Sequence, residues 1–206
     1  MAATQMSNAS WKDAPTRTIT GGGVEFAYRE LGASNPGPPV VCLIHLAAVL
    51  DNWDPRVMDG LAVKHRVIAF DNRGVGASSG KPASSIEEMA ADAIAFIKAM
   101  GLQQVDIFGF SMGGMVAQEI VLMEPGLVRR LILTGTGPAG GEGISNVARV
   151  TYYDMLRGWL TRQDPKQFLF FTRTPSGILA GKAFLQRLKE RTGDRDKEIT
   201  VAAVQA

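Results

Sequence analysis

The sequence has little cysteine, little net charge and no long apolar run among its 206 residues. A single cysteine, Cys42 in the stretch VVCLI, argues against a disulfide framework and predicts a reducing compartment, the cytoplasm. The net charge is +2, and the most basic stretch, residues 188–198, is interleaved with acids, so no nucleic acid partner is expected. The longest nearly apolar run, residues 40–50, contains His45 and is far shorter than the ~20 residues of a membrane span. No membrane partner is therefore expected, and the first 15 residues show no segment of signal-peptide type.

Strands and helices alternate over the first two thirds of the sequence. Apolar runs predict strands over residues 16–20, 24–31, 39–44, 66–70, 105–110 and 130–134. Helical spacing of apolar residues predicts a helix over 85–100, with Ser84 and Glu87 as a capping box. A second helix is predicted over 112–124, where Pro125 stops it. This alternation predicts an α/β fold with a mostly parallel, doubly wound sheet.

After residue 134 the pattern changes from strands to helices. Residues 135–143 are rich in glycine and predict a loop, and helices are predicted over 147–160, 165–171, 181–191 and from Lys197. We therefore expect a core over 1–134 and a helical cap region over 135–206. Residues 135–140 also fit G-x-G-x-x-G, but Pro138 lacks the N–H that a bound phosphate needs, so we interpret them as the connection to the cap. The G-D-x-D stretch at 193–196 is interpreted as a break between helices.

The stretch IFGFSMGGMVAQ, residues 107–118, places a serine between glycines where a strand turns into a helix. Residues 109–113 fit the pattern G-x-S-x-G, in which a sharp, strained turn projects the serine hydroxyl outwards. Side chains two positions before and after the serine would crowd the turn, which explains the glycines. The helix that begins at Met112 directs free N–H groups and a positive dipole end towards the group that Ser111 attacks. Ser111 is therefore the candidate nucleophile.

Three stretches together resemble the α/β-hydrolase fold superfamily, in its cofactor-free esterase and haloperoxidase-like branch. They are the serine turn, LIHLAAVLDNWD (43–54) and DNRGVGASS (71–79), which resemble the turn after the family's fifth strand and the loops after its third and fourth strands. The resemblance extends over roughly residues 15–206 and implies no metal or organic cofactor. We interpret Asp71 and Arg73 as an ion pair that closes the second loop.

The resemblance implies roles for individual residues. Ser111 is the expected nucleophile, and the backbone N–H groups of Met112 and Leu46 are the expected oxyanion hole. Leucine stands at position 46 where the family usually has glycine, so Ala47 is an alternative to Leu46 as the second donor.

The implied function is hydrolysis of a small, apolar ester or similar acyl compound through an acyl-enzyme. Two alternatives are a non-catalytic, small-molecule-binding homologue and a haloperoxidase or perhydrolase. The sequence has two histidines: His45 belongs to the oxyanion loop, and His65 precedes a strand at the amino edge of the sheet, so neither is expected to reach Ser111. In the family the triad acid and histidine follow later strands. We therefore expect this chain to lack them together with the C-terminal strands, and to have doubtful activity alone. A separate C-terminal segment or a second copy would then cover the open sheet edge.

Overall fold

The computed structural model describes residues 10–194, and it contains one six-stranded sheet. The strands are β1 (Arg17–Gly21), β2 (Val24–Leu31), β3 (Val40–Leu43), β4 (Val67–Phe70), β5 (Val105–Phe110) and β6 (Val128–Thr134). Their order in the sheet is β1-β2-β4-β3-β5-β6. Strands β4, β3, β5 and β6 are parallel, whereas β2 is antiparallel to both β1 and β4. This architecture confirms the predicted α/β fold with its mostly parallel sheet, and within the described residues no strand follows β6.

Six α-helices accompany the sheet within residues 10–194. They are α1 (Pro55–Ala62), α2 (Ile86–Ala99), α3 (Met112–Met123), α4 (Ile144–Thr161), α5 (Lys166–Leu169) and α6 (Pro175–Arg187), with short 3-10 turns at Trp11–Asp13 and Leu50–Asn52. Helix α1 was not predicted, although Asp54 accepts a hydrogen bond from the Arg56 N–H and caps it, with Pro55 at its first position. In the described part of the chain, none of these helices combines the length and the apolar character needed to cross a membrane.

The central strands β3, β4 and β5 are covered by apolar side chains on both faces of the sheet. Val41 and Leu43 of β3 belong to one buried layer, which also contains residues of α2 and α3. Val40 and Cys42 belong to the other layer, which contains Trp11 and residues of the segment that follows β3. Burial on both faces explains why β3, β4 and β5 are continuous apolar runs rather than alternating ones.

The N-terminal cap of α2 differs from the prediction by one residue. Ser85, not Ser84, is the N-cap residue, and its hydroxyl accepts a hydrogen bond from the Glu88 N–H at 3.2 Å. The Glu88 carboxylate accepts one from the Ser84 N–H at 2.9 Å, so Glu87 takes no part in the predicted box. Two consecutive serines precede two consecutive glutamates, so the capping motif fits the sequence in either register.

The chain divides into two compact units. Among the described residues, the first unit comprises 10–136 and 191–194, and the second comprises 137–190. The first unit contains the whole sheet. The second consists of α4, α5 and α6 after the glycine-rich loop, which is a loop as predicted.

Within the second unit the helix boundaries differ from those predicted. Helix α5 is shorter than the expected 165–171, and α6 begins at Pro175 rather than at residue 181. Thr174 caps α6 by accepting a hydrogen bond from the Gly177 N–H at 3.2 Å. The Thr174-Pro175 pair in the sequence is thus a signal for a helix that begins at this position. The helix predicted from Lys197 lies outside the described residues.

Candidate active site

Ser111 lies between the last residue of β5 and the first residue of α3. Its backbone angles are φ 55° and ψ −120°, which confirms the predicted strained strand-to-helix turn. Such a conformation costs a non-glycine residue about 1–3 kcal/mol and persists only where the surroundings impose it. One such constraint is visible, because the Ser111 N–H donates a hydrogen bond to the Thr134 carbonyl oxygen at the end of β6, at 2.9 Å.

Three glycines near Ser111 occupy positions where a Cβ would collide with a neighbouring atom. A Cβ atom at Gly109 would lie 2.6 Å from the Gly114 Cα, and one at Gly113 would lie 2.1 Å from the Leu43 carbonyl oxygen. A Cβ atom at Gly114 would lie 2.4 Å from the Thr136 Cγ2. The prediction that positions 109 and 113 crowd each other is confirmed for position 109, where a Cβ would meet the backbone of Gly113 and Gly114. A side chain at 113 would instead meet the end of β3.

The sheet register brings the end of β3 next to the end of β5. Leu43 pairs with Gly109, so the loop that follows β3 and the turn at Ser111 leave the sheet at the same edge. The His45 ring packs edge-on against the Phe110 ring, with 5.4 Å between their centroids. We name residues 44–49, which include the proposed oxyanion donors, the oxyanion loop.

Two residues of the oxyanion loop carry the candidate donors. Leu46 and Ala47 are both half-buried, and Ala47 has a φ of 55°, an uncommon conformation for a residue with a Cβ. The His45 Nδ1 lies 2.8 Å from the Leu46 carbonyl oxygen, so the imidazole helps to orient the peptide group that follows Leu46, whose N–H belongs to Ala47. This arrangement favours Ala47 at least as much as Leu46 as the second donor.

His65 lies at the opposite side of the sheet from Ser111, at the amino ends of the parallel strands. It directly precedes Arg66 and the start of β4, and its carbonyl oxygen accepts a hydrogen bond from the Asn35 side chain at 3.0 Å. Ser111 follows the carboxyl end of β5, so the full length of the parallel strands separates the two residues. The structure therefore supports the expectation that His65 does not act on Ser111.

Asp71 is fully buried at the end of β4 and connects two loops. Its Oδ1 accepts a hydrogen bond from the Leu50 N–H at 2.8 Å, just after the oxyanion loop. Its Oδ2 accepts one from the Ala77 N–H at 3.1 Å, and a Cβ at Gly76 would lie 2.2 Å from the same oxygen. Asp71 thus fixes both loops through backbone N–H groups.

The predicted ion pair between Asp71 and Arg73 is wrong. The Arg73 guanidinium instead binds two carboxylates of α2, Asp92 at 2.7 Å and Glu88 at 3.3 Å. Arg73 therefore fastens its loop to the helix that covers the sheet, while the Asp71 carboxylate binds backbone N–H groups.

Cys42 lies on β3 and is almost completely buried. Burial raises the pKa of its thiol well above the usual range, which keeps the sulfur protonated at neutral pH. This agrees with a structural rather than a catalytic cysteine.

Comparison with known proteins identifies the family. A sequence model described as the alpha/beta hydrolase fold matches residues 38–182, more than half of the chain. The chain therefore belongs to the α/β-hydrolase fold family. A solved structure, an alpha/beta hydrolase fold protein from Chitinophaga pinensis, is 36% identical with a TM-score of 0.85 over 95% of this chain and 70% of that protein.

Two sequence relatives are each 32% identical to part of this chain. One, from Mycobacterium tuberculosis, bears the name non-heme bromoperoxidase BpoC, and the match covers 55% of this chain and 42% of that protein. The other, from Azorhizobium caulinodans, bears the name carbamate hydrolase RutD, and the match covers 59% of this chain and 45% of that protein. This chain thus matches less than half the length of either relative.

Proposed function

We propose that this chain carries the nucleophile and the oxyanion hole of a serine hydrolase. The observation that carries the proposal is the strained turn at Ser111, which begins α3 without a side-chain cap. A free helix start offers N–H groups and a positive dipole end to a developing negative charge. Since the oxyanion loop leaves the sheet at the same edge, it is placed to supply a second N–H group.

In the proposed reaction, the Ser111 oxygen attacks the carbonyl carbon of a small, apolar ester or similar acyl compound. The hydroxyl proton passes to a base, and the carbonyl oxygen becomes an oxyanion that accepts hydrogen bonds from Met112 N–H and from Leu46 or Ala47 N–H. Collapse of this intermediate expels the alcohol, which takes up the proton, and leaves an acyl-serine. Water then hydrolyses the acyl-serine and regenerates the hydroxyl. This scheme requires neither a metal nor an organic cofactor.

The scheme needs a base, and neither histidine of this sequence is an evident candidate for it. His45 and His65 are the histidines of the sequence, and their positions favour roles in loop structure. We propose that another polypeptide segment provides the base and the acid that orients it, and that the 206-residue chain is a weak catalyst by itself. The reducing environment implied by buried, unpaired Cys42 favours the cytoplasm as the location.

A second candidate activity is suggested by one relative. The chain is 32% identical over its matched part to a protein that bears the name non-heme bromoperoxidase, so a peroxide-dependent reaction at the same serine is the alternative. A homologue that binds small molecules without turning them over is a third candidate.

A serine-directed fluorophosphonate probe tests the proposal. We expect phosphonylation of Ser111, located by peptide mass spectrometry, and faster labelling when imidazole is added as an external base. Ser111→Ala is the matched control and should remain unlabelled. A folded chain that leaves Ser111 unlabelled even with imidazole would contradict the proposal, and bromide oxidation that depends on peroxide and on Ser111 would favour the alternative.

A further inference from the structure

A buried cluster of charged side chains lies beside the end of the oxyanion loop. Its members are Arg29 at the centre of β2, Asp51 in the 3-10 turn after the loop, and Arg191, and each is at least nine-tenths buried. We name these three residues the buried ion cluster. The proposed chemistry gives none of them a direct role.

Both arginines of the cluster approach the same oxygen of Asp51. The Arg29 Nη1 donates a hydrogen bond to the Asp51 Oδ1 at 2.7 Å, and the Arg191 Nε lies 3.7 Å from that atom. Arg29 also donates to the Thr16 hydroxyl at 2.9 Å. Arg191 is held in turn by the carbonyl oxygens of Lys12 and Ala14, at 2.9 and 2.8 Å, and its Nη2 forms a direct ion pair with the exposed Asp194 carboxylate.

The neighbours of Asp51 in the same turn are also fixed. The Leu50 N–H is bound by Asp71, and the Leu50 carbonyl oxygen accepts a hydrogen bond from the Trp11 indole at 3.3 Å. The Asn52 side chain accepts one from the Val49 N–H at 2.8 Å. The oxyanion loop therefore runs between two immobilised ends, the end of β3 and this turn.

Stability alone is a poor explanation for the buried ion cluster. Charges lose hydration on burial, and replacing a buried ion pair or triad by apolar residues of similar volume is often neutral or stabilising. What an ion cluster supplies and an apolar one does not is direction, because a guanidinium holds a carboxylate in a defined geometry. In this chain the oriented carboxylate belongs to Asp51, in the 3-10 turn that directly follows the oxyanion loop.

We propose that Asp51, hydrogen-bonded to Arg29 and facing the charge of Arg191, is a positioning residue that sets the oxyanion loop so that its N–H groups face the reacting carbonyl. This inference rests on the proposed serine hydrolase function. The cluster itself does not touch substrate, and its effect reaches the reaction through the loop.

The test compares the wild-type chain with the triple variant Arg29→Met, Asp51→Leu, Arg191→Met. Three quantities are measured: the melting temperature, the phosphonylation rate of Ser111 with imidazole present, and amide hydrogen exchange in peptides covering residues 44–52. The bonded N–H groups of Val49 and Leu50 lie in those peptides and report on loop opening. Asp51→Asn keeps the shape and the accepting oxygen, and the exposed pair Lys98–Glu124, replaced by Met and Leu, is the matched control.

The triple variant should stay folded but melt below the wild-type temperature, since Arg191→Met leaves the carbonyl oxygens of Lys12 and Ala14 without their donor. Its exchange in residues 44–52 should rise and its phosphonylation should slow, each by about 10-fold or more, since losing one oxyanion donor costs roughly 10²–10³ in rate. Asp51→Asn removes the carboxylate that faces two buried guanidinium groups, so it should melt below wild type with faster exchange in residues 44–52, whereas the surface control should stay close to wild type.

A folded triple variant with wild-type exchange and labelling would overturn the inference. An unfolded triple variant would overturn it as well, because the cluster would then be required for folding of the whole chain rather than for the position of the loop. If wild-type Ser111 is not labelled, the hydrolase proposal fails on its own, and the exchange data still show whether the cluster holds the loop.

Discussion

Gly113 is the residue at which the backbone of the turn comes nearest to a neighbouring strand. A Cβ added at Gly113 would meet the Leu43 carbonyl oxygen first, and a backbone atom cannot rotate away as a side chain can. We expect Gly113→Ala to lower the free energy of unfolding by about 3 kcal/mol or more, in the upper range for single substitutions. Gly126→Ala is the matched control, because nothing lies within 4 Å of a Cβ there, and it should change that energy by about 0.5 kcal/mol at most.

Urea unfolding of both variants measures these differences. Equal stability of the two variants would mean that the chain accommodates a methyl group at 113, and the close approach of α3 to β3 would be wrong.

Individual residues also mark the limit of what the sequence predicts. The glycines around Ser111 predict the turn because their spacing is local and the turn needs them. The contact between Arg29 and Asp51 joins residues 22 positions apart in the chain. It depends on which strands are neighbours, and neither residue type indicates that by itself.

At the scale of single elements, the cap of α2 distinguishes two adjacent serines. The Ser85 hydroxyl accepts the Glu88 N–H, so Ser85→Ala should reduce the free energy of unfolding by about 1 kcal/mol, the usual value for an N-cap. Ser84 contributes its backbone N–H, which alanine retains, and a side-chain hydrogen bond to the Glu88 carboxylate between two exposed residues. Ser84→Ala should therefore be nearly neutral in thermal or urea unfolding, and the reverse ranking would restore the register predicted from the sequence.

Strands β5 and β6 are joined near their amino ends by a two-pronged ion pair. Arg129 donates to both carboxylate oxygens of Asp106, at 2.9 and 2.6 Å. These hydrogen bonds lower the pKa of the Asp106 carboxyl, burial opposes them in part, and the charges of Arg129, Arg130 and His65 add to the lowering. A pKa lower in the folded than in the unfolded chain stabilises the fold above the unfolded value and ceases to do so as the pH falls through the folded one.

Asp106→Asn should therefore lower the melting temperature at neutral pH, and the difference from wild type should shrink below about pH 4. Differential scanning calorimetry across that range measures it, with the exposed Glu142→Gln as control. A difference that is constant with pH would show that the charge of Asp106 contributes nothing.

The sequence predicts some strands and helices more clearly than others. Strands β3, β4 and β5 are predicted well because burial on both faces leaves continuous apolar runs. Helix α1 is absent from the prediction because it has only eight residues, about two turns, which is too short for the helical spacing of its apolar residues to stand out. The Asp54-Pro55 pair marks its start. Helices this short need such capping signals to be found.

For the molecule as a whole, the exposed edge strand β6 is the feature that we expect to influence association the most. In β6, residues 129–133 are all exposed, including Leu131, Ile132 and Leu133. Successive residues of a strand point to opposite faces, so both faces are uncovered at this edge. Within residues 10–194 no strand pairs with the outer side of β6. Such an edge promotes association with another segment or another copy of the chain.

We expect the chain to associate in a concentration-dependent way in light scattering, and Ile132→Lys to reduce that association. Val63→Lys, at an exposed apolar position away from the sheet edge, should leave it unchanged. A wild-type chain that stays monomeric and melts cooperatively at all concentrations would contradict this expectation.

The hydrogen bond between the Ser111 N–H and the Thr134 carbonyl oxygen also has a consequence for protein synthesis. Ribosomes deliver a chain from its N-terminus at about 5–20 residues per second, and early segments begin to fold before later ones exist. The nascent chain can pair β1 with β2 and β3 with β4 before residue 111 emerges. The turn at Ser111 acquires its partner only after the polypeptide has grown beyond residue 134, and Gly114 meets Thr136 only then. During translation, the turn at Ser111 therefore takes its final shape only after β6 has been made.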